Sequence, residues 1–358
     1  MDLLSTRENK KRIEHDYVSP DTPCPELSET AQHLVSETVQ RVRAARAAGK
    51  PVVAAFGAHA IKNGLGPVFL RLIERGWFTH LATNGAGVIH DWEFAWQGSS
   101  CEHVGAMVDQ GKFGNWHETG FNINLALNIG GFEDKGYGES VGAMIEHESL
   151  EIPEAEYLED LVRSEVSSDP HLAAAAADLL GMIRAFDLSA GRLEIPHPWK
   201  QYSIQAGAFR TGVPFTSHPM IGHDIIYNHP MNHCASLART AQRDFLTYAD
   251  SISRIDGGVY LSIGSAVMSP MIFEKSLSMS QNLAIQQGRH IDGHFILVSD
   301  LAESTWDWNR GEPPESDPAY YLRYNKSFSR MGGTLRYLQA DNRDLLLNLV
   351  HQLGEAES

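Results

Sequence analysis

The chain has 358 residues, 45 of them acidic and 29 basic, for a formal charge of −16. Its 42% apolar and 21% charged residues are an ordinary globular mixture, long enough to build a core without disulfide staples. No apolar run reaches the ~18 residues of a membrane span, and the acid excess disfavours nucleic acid as a partner.

Three cysteines, Cys24, Cys101 and Cys234, lie far apart. They argue against a disulfide framework or a cysteine zinc site and fit a reducing cytoplasm. Residues 1–24 mix Arg7, Lys10, Lys11 and Arg12 with acids and lack an apolar signal core, so they read as a polar arm able to dock elsewhere. From residue 25 to 358 the pattern is that of a single domain. Pro25 opens a helix with Leu27, Ala31, Leu34, Val35, Val39 and Val42 on one face, ended by Gly49. A strand at Pro51–Phe56, a helix at Pro67–Arg75 and a strand at Thr79–Thr83 follow.

Residues 132–200 read as a helical excursion with helices at Tyr137–Glu148, Pro153–Glu165 and His171–Phe186. Alternation resumes with strands at Ser203–Gln205, Val213–Ser217, Gly258–Ile263 and His294–Asp300, and helices at Asn232–Ile255 and Pro270–Gln287. Leu301–Pro318 reads as a long functional loop, Thr334–Leu338 as a strand and Asn342–Leu353 as the last helix. Short apolar strands separated by helices predict an α/β fold with a doubly wound, mainly parallel sheet of Rossmann type.

Three strands run into glycine turns that precede helices: Phe56-Gly57-Ala58-His59, Thr83-Asn84-Gly85-Ala86-Gly87 and Ile263-Gly264-Ser265-Ala266. Glycine lets backbone approach a phosphate, and the free amides of a helix start favour anions. None of the turns has the full G-x-G-x-x-G spacing, but three at one sheet edge favour a nucleotide over ordinary tight turns.

The histidines His218, His223, His229 and His233, with His90-Asp91 earlier, could bind zinc or iron. Their irregular spacing favours hydrogen-bonding or catalytic histidines and no metal. Lys326 lies among Tyr320, Tyr321, Tyr324 and Phe328 and beside Arg323. Desolvation and repulsion there would lower its pKa toward a usable nucleophile; the alternative is a surface lysine on an amphipathic segment.

In order along the chain these segments resemble deoxyhypusine synthase. Gly57–Gly64 and Thr83–Asp91 are similar to that family's first two NAD-binding turns, and Pro318 to Lys326 keeps its P-D-E-A-V-S-W-G-K spacing. The family's V-V-K-H-H-I appears as Val267-Met268-Ser269-Pro270-Met271-Ile272, its paired glutamates as Ile89-His90, and a tryptophan as Tyr324.

The resemblance implies NAD as cofactor, held by Ala58, His59, Thr83, Asn84, Gly85, Ala86, Gly87, Ser299 and Asp300, with adenine near Asp341 and Asn342. It implies transfer of an aminoalkyl group from a polyamine-type donor to an amine, which is a small molecule or a protein lysine. Lys326 would carry the group as an imine and His90 would shuttle a proton. Asp224, Asp307, His223 and Tyr324 would bind substrate. A homotetramer is implied as well. Two rival readings are a metal-dependent hydrolase using the histidines of 218–233 and a non-catalytic NAD-binding protein.

Overall fold

Short runs of β-branched and small apolar residues, bounded by glycine, proline or polar turns, form the six strands of a central sheet in the computed structural model, which describes residues 1–354. They are β1 (Val52–Phe56), β2 (His80–Thr83), β3 (Phe215–Ser217), β4 (Val259–Ile263), β5 (Phe295–Asp300) and β6 (Thr334–Gln339). All pair in parallel, in the order β3-β2-β1-β4-β5-β6. The order reverses between β1 and β4, where Val53 pairs with Tyr260 on one side and His80 on the other. This is the doubly wound, Rossmann-like arrangement.

Both faces of the sheet are buried, which is why β1 reads as an uninterrupted apolar run. Val52, Ala54 and Phe56 enter one core; Val53 and Ala55 enter the other. The first is covered by α1 (Glu29–Ala47), α2 (Gly66–Glu74), α3 (Gly85–Gln97) and the C-terminal Asn342–Gly354.

Between β2 and β3 the excursion contributes α4 (His117–Phe132), α5 (Tyr137–His147), α6 (Ala155–Glu165), α7 (Pro170–Ala185) and α8 (Ile204–Thr211). The second face is covered by α9 (Cys234–Ser253), α10 (Met268–Gln286) and α11 (Arg323–Ser329); the C-terminal helix is α12.

Three local readings are corrected. Ser203–Gln205 begins α8 and is not a strand. The buried Asp91 carboxylate accepts bonds from the Ser203 hydroxyl (2.6 Å) and the Ile204 and Gln205 amides (3.0 and 3.2 Å), while Ser203 Oγ caps the Ala206 amide. Two paired strands, Ser149–Ile152 and Gly191–Glu194, lie within the excursion. Each is four residues long, and the partner is too far along the chain for a hairpin signal. Helix α1 starts at Glu29, because Ser28 accepts from the Ala31 amide.

Residues 1–24 pack onto this frame. Lys11 and Arg12 pair antiparallel with Ser100 and Ser99, and Leu4 N donates to Glu118 (2.6 Å). No helix among the described residues is long and apolar enough to cross a membrane.

Candidate functional site

At the carboxyl edge, a Cβ on Gly57 would lie 2.3 Å from the Gly264 carbonyl oxygen, so the tips of β1 and β4 meet only because Gly57 has none. Gly264 has φ +55° and lies against buried Asn342. Thr83 donates to the Phe56 carbonyl (2.9 Å) and fills the space a Cβ on Gly87 would take. Its hydroxyl therefore ties β2 to β1.

Asn84 caps α3 by accepting from the Gly87 amide (2.9 Å); the Gly85 and Ala86 amides have no acceptor among the described residues. Ala58 and His59 open a five-residue helix after Gly57, with His59 exposed. Ser299 Oγ, at the end of β5, is buried without a partner, and Asp300 accepts from the Leu301 amide (2.8 Å). Asp341 accepts from the Arg343 amide at the start of α12 (2.8 Å). Every residue assigned to the nucleotide from sequence thus lies at the carboxyl end of its strand, around the point of reversal.

Beside α3 is a cavity of about 230 Å³, lined in part by Lys62, His90, Cys101, Glu102, His223 and Asp224. Asp224 precedes a short 3-10 turn that α4 anchors: Asn124 Nδ2 donates to the Ile226 carbonyl (2.9 Å), and Asn128 Nδ2 to Met231 O (3.3 Å). Its carboxylate occupies the place of a Cβ on Gly85, 1.9 Å from Oδ2, and that oxygen is buried with no partner. Burial pushes the Asp224 pKa up to about 7.

His90, half-buried, is pushed down to about 4, chiefly by burial. Its Nδ1 lies 2.7 Å from Ser100 Oγ, which donates to Glu93 Oε2 (2.5 Å). Glu93 is 1% exposed and bound bidentately by Arg7 (2.9 and 2.5 Å); Thr119 donates to it as well (3.1 Å).

Burial would raise Glu93, but the Arg7 guanidinium outweighs it and holds the carboxyl below its ordinary range. An ionised Glu93 only accepts, so the single Ser100 proton goes to it and Ser100 must accept from His90 Nδ1–H. Nε2 is left as the unprotonated nitrogen. Burial thus moves the two groups in opposite directions, raising the Asp224 pKa to about 7 and lowering that of His90 to about 4.

Lys326 does not line this cavity. It sits over the Tyr320 ring (3.4 Å), as expected, but pairs with Glu312 (2.6 Å), whose hydrogen bond raises its pKa. The expected lowering is corrected: the Glu312 hydrogen bond outweighs desolvation, and Tyr320 raises the pKa as well. Tyr324 is half-buried with its hydroxyl 3.4 Å from that of Tyr337, and Asp307 is exposed on the 301–317 loop. The structure thus brings His90, His223 and Asp224 together and leaves Lys326, Tyr324 and Asp307 outside the cavity wall.

The other histidines are engaged separately. His218 Nε2 meets Thr216 Oγ1 (3.0 Å), His229 Nε2 meets His117 Nδ1 (3.3 Å), and His233 caps α9. No group of three or more potential metal ligands occurs among the described residues. Sequence reading missed Arg7, Lys62, Glu93, Ser100 and Cys101. Glu93 was within reach, since it follows His90 by three positions and shares its helix face.

No protein-family model matches the chain, and neither does any curated protein. Solved structures do. Apo ArgZ, an arginine dihydrolase from the ornithine–ammonia cycle in cyanobacteria, is 14% identical with a TM-score of 0.45, covering 92% of this chain and 32% of its own. The ternary complex of AgrE with ornithine and NAD+ is 15% identical (TM-score 0.44; 93% and 34% covered). A conserved LOR/SDH protein from Methanococcus maripaludis S2 is 12% identical (TM-score 0.45; 96% and 74% covered). The chain spans about a third of the length of the first two.

Proposed function

We propose that this chain is an NAD-dependent enzyme that oxidises the carbon bearing a small molecule's amine to an imine. The observation that carries this reading is the partnerless Asp224 carboxylate oxygen, held at the start of α3 in a cavity beside the strand-order reversal. A buried anion of this kind matches an ammonium, and a pKa near 7 suits a group that must also take its proton.

The Gly57–Gly264 contact, the unbonded Gly85 and Ala86 amides and the orphaned Ser299 hydroxyl fit a dinucleotide at the strand ends. Ala58, His59, Asp300, Asp341 and Asn342 would complete its site. Bound NAD would supply the hydride acceptor.

The protein's own part is binding and proton transfer. The ammonium enters against Asp224, whose carboxylate accepts one N–H proton and leaves the amine lone pair free to form the C=N bond as the C–H leaves as hydride. His90 Nε2 accepts a remaining N–H and fixes the rotation of the amine. Ile89, Val104, Phe113 and Ile225 form the apolar part of the cavity wall.

Transfer of the aminoalkyl group to a second amine through Lys326, in the manner of deoxyhypusine synthase, is the finer reading. It rests on the preserved Pro318–Lys326 spacing and requires Lys326 to leave Glu312 and lose its proton. A homotetramer that brings another subunit's residues to the cavity belongs to the same reading.

The test is NADH formation, followed by its absorbance, over a panel of amines, with Asp224→Asn as control. Turnover that the Asn variant abolishes, while NAD still raises the melting temperature, supports the reading. Turnover unaffected by the substitution, or no thermal response to NAD, refutes it. Borohydride trapping and peptide mapping test Lys326 separately.

A further inference from the structure

We propose that the cavity accepts an amine that also carries a carboxylate, an amino acid, with its carboxylate on Lys62 and its ammonium on Asp224. This rests on the reading of the cavity as the amine site.

The argument is a balance of charge around one space of about 230 Å³. Five charged side chains line it: Arg7, Lys62, Glu93, Glu102 and Asp224. Arg7 and Glu93 neutralise one another at 2.9 and 2.5 Å. Glu102 accepts from the Gly114 amide (3.3 Å), and burial raises its pKa. Lys62 and Asp224 have no bond to another side chain among the described residues.

Lys62 forms no ion pair among the described residues, although the chain carries 45 acids to 29 bases. It lines the same cavity as His90 and Cys101. Asp224 Oδ2 is buried and unpartnered, and the two do not bond each other although they line the same space.

A ligand of one sign leaves one of these groups worse off. A simple polyamine satisfies Asp224 but brings positive charge toward Lys62, and a dicarboxylate does the reverse. Only a molecule with both charges neutralises both ends. The volume is that of roughly eight waters, enough for a small amino acid whose aliphatic chain lies against Ile89, Val104 and Phe113.

The experiment compares pairs that differ only in the carboxylate, lysine against 1,5-diaminopentane and norvaline against butylamine. Binding is measured by calorimetry on the full chain with saturating NAD, for wild type, Lys62→Met and Asp224→Asn. The amino acid of each pair is expected to bind at least about tenfold tighter to wild type. Lys62→Met should erase that difference by weakening the amino acid of each pair and not its amine partner, which binds at least as well, and Asp224→Asn should weaken both members. Lys62 is half-exposed, and an unchanged melting temperature shows that the Met variant is folded.

Equal affinity within each pair, or a Lys62→Met variant that keeps the preference, overturns the inference. If the amines still bind through Asp224, the amine reading stands without it. If no member of either pair binds wild type, the amine reading itself fails.

Discussion

Replacing Arg7 by methionine tests whether the N-terminal arm supports the cavity. The substitution removes the guanidinium from Glu93 and leaves a carboxylate that is 1% exposed, with only the Ser100 and Thr119 hydroxyls as donors. Breaking one side of a buried pair costs about 3–5 kcal/mol, and the two hydroxyls place the expected loss near the lower end, about 3 kcal/mol.

The loss should depend on pH. In wild type the depressed Glu93 pKa contributes stability that is present above the ordinary glutamate value and lost as pH falls through the folded value. Without Arg7, burial raises the folded pKa, so Glu93 then costs stability as pH rises. The gap between the two proteins should therefore be larger near pH ~8 than near pH ~5.

Urea denaturation at both values measures it, with the double variant Arg7→Met plus Glu93→Gln as the decisive one. The introduced amide oxygen still accepts from Ser100 and Thr119 without a buried charge, so the double variant should be more stable than Arg7→Met. A single-variant loss below about 1 kcal/mol, a gap that does not change with pH, or a double variant less stable than Arg7→Met would each refute the account.

Four further outcomes are expected. Nitrogen-15 NMR should show His90 as the Nδ1–H tautomer in wild type, and Ser100→Ala should lose that preference because Nδ1–H no longer has its acceptor. Gly85→Ala places a methyl 1.9 Å from Asp224 Oδ2, so calorimetric titration should show amine binding weakened by at least about tenfold. Gly57→Ala meets the backbone oxygen of Gly264 at 2.3 Å; thermal melts should show a loss of about 1–3 kcal/mol and no response to NAD. Asp244, pushed up to about 8 chiefly by burial, holds its proton in the folded state, so stability falls as pH rises from its ordinary value of 3.8 to about 8; Asp244→Asn should flatten that slope in denaturation curves.

The elements legible in the sequence were those whose signal is local. The runs at 52–56 and 259–263 read as strands because both sheet faces are buried, and Gly57 and Gly85 marked the ligand edge because no larger residue fits. Helix α4 was not legible. It is buried nearly all round, so it has no polar face, and its asparagines look like turn residues until Asn124 and Asn128 are seen holding the 226–231 backbone.

The cavity depends on pairs that sequence spacing does not announce: Arg7 meets Glu93 across 86 positions, and Asp224 meets Gly85 across the whole helical excursion. Lys326 shows the converse. Its neighbours in sequence were correctly read as aromatic, but its protonation is governed by Glu312, which reaches it from the loop before it.

The same difference separates the two halves of the expected chemistry. Nucleotide binding at a doubly wound sheet is mostly a property of backbone and glycine, and these follow from strand ends and turn composition. Amine chemistry depends on which charges remain once all others are paired, and that remainder appears only when the chain is folded. Here it is a carboxylate near neutrality, an imidazole fixed as acceptor and a lysine with no counter-ion among the described residues, gathered beside α3. Residues paired with protein charges, Lys326 and Arg7 among them, must break a bond before they can meet a substrate; Asp224 and Lys62 need not, and the substrate's charges should fall on those two.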